Sequence, residues 1–276
     1  MGSKGKLRNI SGSKSVLNGI AYLAYIFLYL PILVVIIYSF NKSEVNVEFT
    51  GFTMKWYGEL FAKDRDLWTS LRTSVELAIY STIISCVIGT FATIAMHRYK
   101  FPGKQLIENL LYIPIVIPEI VIGIAFLATM SMFGVDMSMA TLVISHVTFC
   151  IPFVIFTLRP RISGFDASIE EAAMDLGATQ WRTLRRVTLP MLTPGILASA
   201  LMSITLSIDD VTISFFAAGP DNTTLPIRIY GMVRGKISPD VYGLCVVIMA
   251  ATVLLAGVGM LIMNLNAART RRMRED

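Results

Sequence analysis

Residues Ser168 to Pro190 read S-I-E-E-A-A-M-D-L-G-A-T-Q-W-R-T-L-R-R-V-T-L-P and lie between two long apolar runs. Ser168 followed by Glu171 has the spacing of a capping box, in which hydroxyl and carboxylate each satisfy an orphan backbone amide, so a helix is expected to begin at Ser168. Ile169, Ala172, Ala173 and Leu176 recur at the spacing of one narrow helical face, leaving Glu170, Glu171, Met174 and Asp175 on the others. Gly177 supplies a left-handed stop. Thr179 is placed to cap a second short helix that carries Trp181, Leu184, Arg185 and Arg186 and ends near Pro190. A helix of about eight residues is marginal alone in water, so its apolar face needs a surface to dock on. That surface is either the membrane or a partner protein. Small Ala172 and Ala173 permit close approach, and the acids beside them suit a basic rim.

The surrounding chain is 54% hydrophobic and only 16% charged, with a mean hydropathy of +0.64, where a soluble domain carries about 25% charged residues. This is the composition of a membrane protein. The net charge of +5 does not point to nucleic acid, because the bases flank apolar runs and form no stripe with interleaved aromatics. Cys86, Cys150 and Cys245 fall inside apolar segments, without metal-ligand spacing or a disulfide framework, and read as packing residues. The first apolar stretch is too long for a signal-peptide core and is expected to be retained.

A spanning helix needs about 20 apolar residues. Six stretches qualify: Ser15 to Asn41, Leu77 to Met96, Asn109 to Val135 interrupted by Glu119, Met137 to Leu158, Val187 to Ile208 continuing past Asp209 and Asp210, and Val241 to Ala268. Lipid offers no partners to backbone amides, so these are helices, and the expected fold class is an all-α membrane protein of six transmembrane helices. With both termini cytoplasmic, 16 of the 24 Lys and Arg residues fall inside, including Arg98, Lys100, Lys104, Arg159, Arg161, Arg182, Arg185 and Arg186. That satisfies the positive-inside rule. Residues 1–16 are then a cytoplasmic tail, 17–268 a six-helix membrane domain with a cytoplasmic loop at 159–190, and 269–276 a basic tail.

Five residues stand out along a possible path. Glu119, in L-Y-I-P-I-V-I-P-E-I-V-I-G, follows Pro118 about 17 Å into the third span. An ionisable group at that depth is costly unless it faces a cavity or a partner. Asp209 and Asp210 close S-I-T-L-S-I-D-D about 24 Å into the fifth, pointing about 100° apart if the helix continues through them. Acids at two depths favour cations. Trp56 and Tyr57, in the first external loop, are either interfacial anchors or ring faces for a cationic substrate. His146 reads as a hydrogen-bonded packing residue, since no second ligand lies at metal spacing. The Ala217 to Asp240 segment either docks an external partner or caps the bundle. No G-x-x-x-x-G-K-[ST], nucleophile elbow, metal motif or dinucleotide fingerprint occurs, so no catalytic or metal-ligating residue is assigned, and any energy source lies elsewhere.

The run E-A-A, three residues, Gly177, nine residues, then V-T-L-P is similar to the cytoplasmic coupling loop of ABC importer permeases, with Val187 where Ile is usual. Y-S-F-N (Tyr38 to Asn41), F-T-x-K-W-Y (Phe52 to Tyr57), R-Y-K-F-P-G-K (Arg98 to Lys104), H-V-T-F-C-I-P-F-V (His146 to Val154), T-L-S-I-D-D (Thr205 to Asp210) and the segment Leu225 to Asp240 narrow the resemblance to the second permease subunit of spermidine/putrescine importers. Glu119 stands where such permeases carry Asp. The resemblance implies the type I, MetI-like permease fold in the bacterial inner membrane and a heterodimer with a second permease. It also implies two copies of an ATPase that holds ATP and Mg, and an external or periplasmic binding protein that delivers the polyamine. This chain itself would bind no cofactor. Glu170, Glu171, Ala172, Ala173, Asp175 and Gly177 would lie at the ATPase interface, and Trp56, Tyr57, Glu119, Asp209 and Asp210 along the substrate pathway. Two other expectations stay open: an ABC importer for iron, thiosulfate or an amino acid, and a proton-coupled carrier with Glu119, His146 and Asp209 as a relay.

Overall fold

The computed structural model describes residues 8–43, 48–63, 65–235 and 239–254. Helices follow one another as α1 (Arg8–Tyr38), α2 (Lys55–Lys63), α3 (Arg65–Arg98), α4 (Lys104–Leu110), α5 (Ile113–Val116), α6 (Glu119–Met132), α7 (Met139–Ser163), α8 (Ser168–Asp175), α9 (Gln180–Thr183), a π-helical turn (Leu184–Thr188), α10 (Leu189–Asp209), α11 (Thr212–Ala217), α12 (Leu225–Gly235) and α13 (Pro239–Leu254). Among the described residues four stretches are long and apolar enough to cross a membrane: Val16–Tyr38, α3, α7 and the continuous run Gln180–Asp209. The third expected span is broken. Lys104–Val116 and Glu119–Met132 meet at 111°, because Pro118 removes a backbone donor and holds Ile117 extended, with ψ 136°. The sixth expected span is described only as far as Leu254, and the rest of it, with the tail 269–276, lies outside the described residues.

The chain forms two compact units, one of residues 1–64 with 232–276 and one of residues 65–231. In the second unit α3 turns small polar residues inward among a few apolar ones and most of its large apolar residues outward. Ser74, Ser81, Thr82, Ser85, Gly89, Thr90 and Thr93 are buried at helical spacing, whereas Ile79, Tyr80, Ile83, Ile84, Val87, Ile88 and Phe91 are exposed. Water cannot drive helices together in lipid, so close van der Waals approach between small residues must do so. Gly89 shows the requirement: a Cβ there would meet Val154 Cγ1 of α7 at 2.6 Å. Gly195, Ser199, Ser203 and Ser207 place a similar small-residue stripe on α10. Cys86, Val154 and Leu158 fill one layer of the seam, and Ile94, Ile162 and Leu192 fill another.

In the first unit, buried Asn41 organises the chain after α1. Its Nδ2 donates to the Glu48 carbonyl at 2.8 Å and its Oδ1 accepts from the Thr50 amide at 3.0 Å. Trp56 of α2 is buried, and its indole N–H donates to the Asn41 carbonyl at 2.7 Å.

Candidate functional site

Glu119, Asp209 and Asp210 converge on one cavity of about 230 Å³, lined further by Thr205, Leu206, Val211 and Thr212. Backbone breaks on two elements bring them there. The extended residue at Pro118 makes Glu119 the first residue of α6, where the positive end of the helix dipole favours a carboxylate. The helix expected to continue through the acid pair stops instead: α10 ends at Asp209, and Asp210 is extended, with ψ 125°. Asp210 competes with the backbone for amides and wins. Its Oδ1 accepts from Ile213 N–H at 3.1 Å and its Oδ2 from Ser214 N–H at 2.7 Å, so it holds the first turn of α11. The pair is thereby divided. Asp209 is exposed and free to meet a solute; Asp210 is buried.

Behind Asp210 lies a polar network inside the bundle. His146 of α7 is 1% exposed. Its Nδ1 is 3.0 Å from Ser207 Oγ, its Nε2 3.0 Å from Ser214 Oγ and 3.5 Å from Asp210 Oδ2. Ser81 of α3 donates to Ser207 at 3.1 Å. His146 is thus the hydrogen-bonded packing residue that its sequence context suggests, and it joins α3, α7, α10 and α11. Among the described residues no cluster of three or more His, Cys, Asp or Glu could hold a metal.

Trp56 and Tyr57 lie in the other unit. The Trp56 ring has Lys55 Nζ over it, 4.8 Å from the centroid, and the Tyr57 hydroxyl is 2.7 Å from Ser39 Oγ. Phe40 packs between Phe52 and Tyr57 at centroid distances of 5.0 and 5.3 Å. The polar atoms of both aromatics are engaged within their own unit. Sequence reading quoted Ser39 and Asn41 within the Y-S-F-N motif but missed their role in holding Tyr57 and Trp56.

The Ser168 to Pro190 stretch has the expected two helices and the expected start, with a different cap and a different finish. α8 begins at Ser168, but Asp166 supplies the cap, accepting the Ser168 amide at 3.0 Å. The Ser168 hydroxyl, and then that amide, hold the Asp166 carboxyl below the usual aspartate range. An aspartate two residues upstream closes this turn more directly than the capping box, which needs a longer side-chain reach. Gly177 is left-handed, with φ +85°. The Gly177 amide bonds to the Met174 carbonyl at 2.9 Å and the Ala178 amide to that of Ala173 at 3.1 Å, which is the Schellman pairing. Thr179 caps α9 by accepting the Arg182 amide at 3.4 Å. The second helix does not end at Pro190. A π turn over Leu184–Thr188 widens the ladder ahead of it, and the helix runs on into α10 with Pro190 in its first turn.

Glu171, Ala172 and Asp175 are exposed, as are Leu176 at 90% and Trp181 at 64%, while Ala173 is half-buried. Glu170 differs: its side chain is 15% exposed and pairs with Arg98 of α3 and with the Thr188 hydroxyl.

Residues 85–274 match the family described as binding-protein-dependent transport system inner membrane component. The spermidine/putrescine transport system permease protein PotC of Escherichia coli (strain K12) is 37% identical over 86% of this chain and 90% of its own. PotC of Haemophilus influenzae is 34% identical over 90% of this chain and 96% of its own. The putrescine transport system permease protein PotI of Escherichia coli (strain K12) is 35% identical over 84% and 85%. In fold, the chain is similar to a bacterial ABC transporter involved in the import of alginate, at TM-score 0.69, 17% identity and coverage of 94% and 98%. It is also similar to the MetNI methionine ABC transporter in an inward-facing conformation, at TM-score 0.56, 17% identity and coverage of 73% and 94%. Helices long and apolar enough to cross a membrane, a capped pair of short helices between two of them and this match over most of the chain lead to one assignment: the protein belongs to the binding-protein-dependent transport system inner membrane components, the non-enzymatic membrane permeases of ABC importers.

Proposed function

We propose that this chain is one of two permease subunits through which an ATP-driven importer of the bacterial inner membrane admits polyamines, spermidine or putrescine. The observation that carries the reading is the cavity between α6 and α10, whose lining holds three carboxylates and no base. Identity of 34–37% to polyamine permeases over most of the chain supports the substrate class. A flexible polycation gives up hydration at each amine, and carboxylates fixed by helix ends replace that hydration without reorganising. Glu119 and Asp209 meet the amines, and Asp210 sets the turn that presents Asp209. Trp56 and Tyr57 contribute by holding the loop between α1 and α2 in shape.

Energy comes from outside the chain. Two ATPase subunits bind ATP and Mg, and this chain binds no cofactor. Glu171, Ala172, Ala173 and Asp175, with Leu176 and Trp181, face the ATPase, and Gly177 shapes that surface. A periplasmic binding protein brings the cargo, and a second permease completes the pathway. ATP and binding protein need only favour one of two conformations differentially to drive the cycle.

The test is ATP-dependent uptake of radiolabelled spermidine and putrescine by proteoliposomes holding this chain, its partner permease, the ATPase and the binding protein. Glu119→Gln and Asp209→Asn should each lower uptake about tenfold, equivalent to about 1.4 kcal/mol of lost interaction. Wild-type complex that ignores polyamines but hydrolyses ATP in response to another binding protein would overturn the cargo. Uptake driven by a proton gradient without ATP would overturn the importer and favour a secondary carrier.

A further inference from the structure

α8 buries none of its residues fully, so little apolar packing fastens it to the bundle. Its firm lateral attachment is polar. Glu170 accepts from Arg98 Nη2 and from Thr188 Oγ1, and the same Arg98 nitrogen donates to Thr188 Oγ1 at 3.0 Å, closing a triangle. Each corner belongs to a different segment: the last residue of α3, the first turn of α8, and the π turn that leads into α10. Thr188 is buried, and the Arg98 side chain is 28% exposed. Apolar contacts slide past one another, whereas a charge-assisted triangle is directional and keeps its three corners in register.

The same two helices that receive this triangle, α3 and α10, are joined again by Ser81 and Ser207, which lead through His146 to Asp210. Between the two junctions they pack along their small-residue stripes. Coupling needs a contiguous physical path between rigid elements, and this path runs from α8 to the acid-lined cavity.

We propose that Arg98, Glu170 and Thr188 form a clamp that passes movement of α8 into α3 and α10, making Glu170 a positioning residue that faces its own chain. The proposal rests on the coupling role assigned above to α8. Glu170 lies just before the E-A-A triplet, so the motif separates an outward acid, Glu171, from an inward one.

The experiment uses the assembled complex in proteoliposomes with Arg98→Gln, Thr188→Val, Glu170→Gln and the reversed pair Arg98→Glu/Glu170→Arg. Two readouts are taken: cargo molecules moved per ATP hydrolysed, and the line shape of a spin label on Leu176→Cys. Each single variant should lower cargo per ATP on the order of tenfold, within the 5–150-fold span of allosteric coupling, and should sharpen the label's spectrum. The reversed pair should recover most of both, which a misfolded single variant would not permit. Unchanged cargo per ATP in all variants overturns the clamp. So does loss of the ATPase from the Glu170→Gln complex alone, which would place Glu170 at the ATPase interface. If wild-type complex hydrolyses ATP without moving polyamine, the cargo reading fails, and the label's response to ATP still decides the clamp. If wild type never retains the ATPase, the coupling role falls and takes the transmission with it.

Discussion

Ile213 and Ser214 donate amides to the two oxygens of Asp210, and His146 stands 3.5 Å behind one of them. Asp210→Asn keeps one acceptor but turns the other oxygen into a donor facing an amide. That change should cost about 1–3 kcal/mol and lower the unfolding temperature of the detergent-solubilised chain by several degrees. Asp209→Asn, on an exposed side chain, should leave the unfolding temperature unmoved while reducing uptake. Equal thermal effects from the two would show that the acids are not divided as the geometry requires. His146→Ala strips Ser214 of its ring partner, leaves Ser207 with Ser81 alone and opens a hole between four helices, so it should destabilise by about 3 kcal/mol. The same scan measures it.

At the scale of elements, the α3–α7–α10 seam is held by proximity, which leaves no room for added volume. Gly89→Val would drive its branches into Val154, already only 2.6 Å from the site of a Cβ. Overpacking of that kind costs about 1–3 kcal/mol. The expected result is lower yield of monodisperse protein and a lower unfolding temperature, while Gly58→Val, where nothing lies within 4 Å of a Cβ, should change neither. α8 is governed by its ends. Gly177→Ala would place a side chain in the left-handed region, at a cost of about 1–2 kcal/mol, and would loosen retention of the ATPase on copurification. The Asp166 cap works at neutral pH. Because its carboxyl titrates below the ordinary value of about 3.9, its contribution is present above that pH and is lost only as pH falls through the lowered value.

For the whole molecule, orientation decides whether α8 can reach an ATPase. Leu176 is 90% exposed and Asp221 is exposed on the turn after α11. Cys86 and Cys150 are buried and Cys245 half-buried, so background labelling is low. A membrane-impermeant maleimide should label Leu176→Cys only in inside-out vesicles and Asp221→Cys only in right-side-out ones. The opposite pattern would place the coupling stretch outside and dismantle the importer reading. The Val16–Tyr38 stretch of α1 has no buried residue within the chain, so its apolar surface is left for the bilayer or a neighbouring subunit.

Membrane residence, the all-α class and most crossings were legible in the sequence because each follows from local apolar length, and the Gly177 stop because only one backbone region suits a glycine after a helix. The coupling pair was legible for the same reason, although its cap moved to Asp166 and its end at Pro190 dissolved into a π turn, since a short-range competitor or a widened ladder outweighs a motif. Glu119 and Asp209 were recognisable singly by the cost of charge in lipid. That they share one cavity, that Asp210 turns away to cap α11, that Trp56 is tied to Asn41, and that Glu170 closes on Arg98 and Thr188 depended on tertiary structure. Apart from the local Asp210 cap, these contacts join residues well separated in the chain, and a side chain's direction is set by the neighbours that packing brings to it, which no spacing along the chain records.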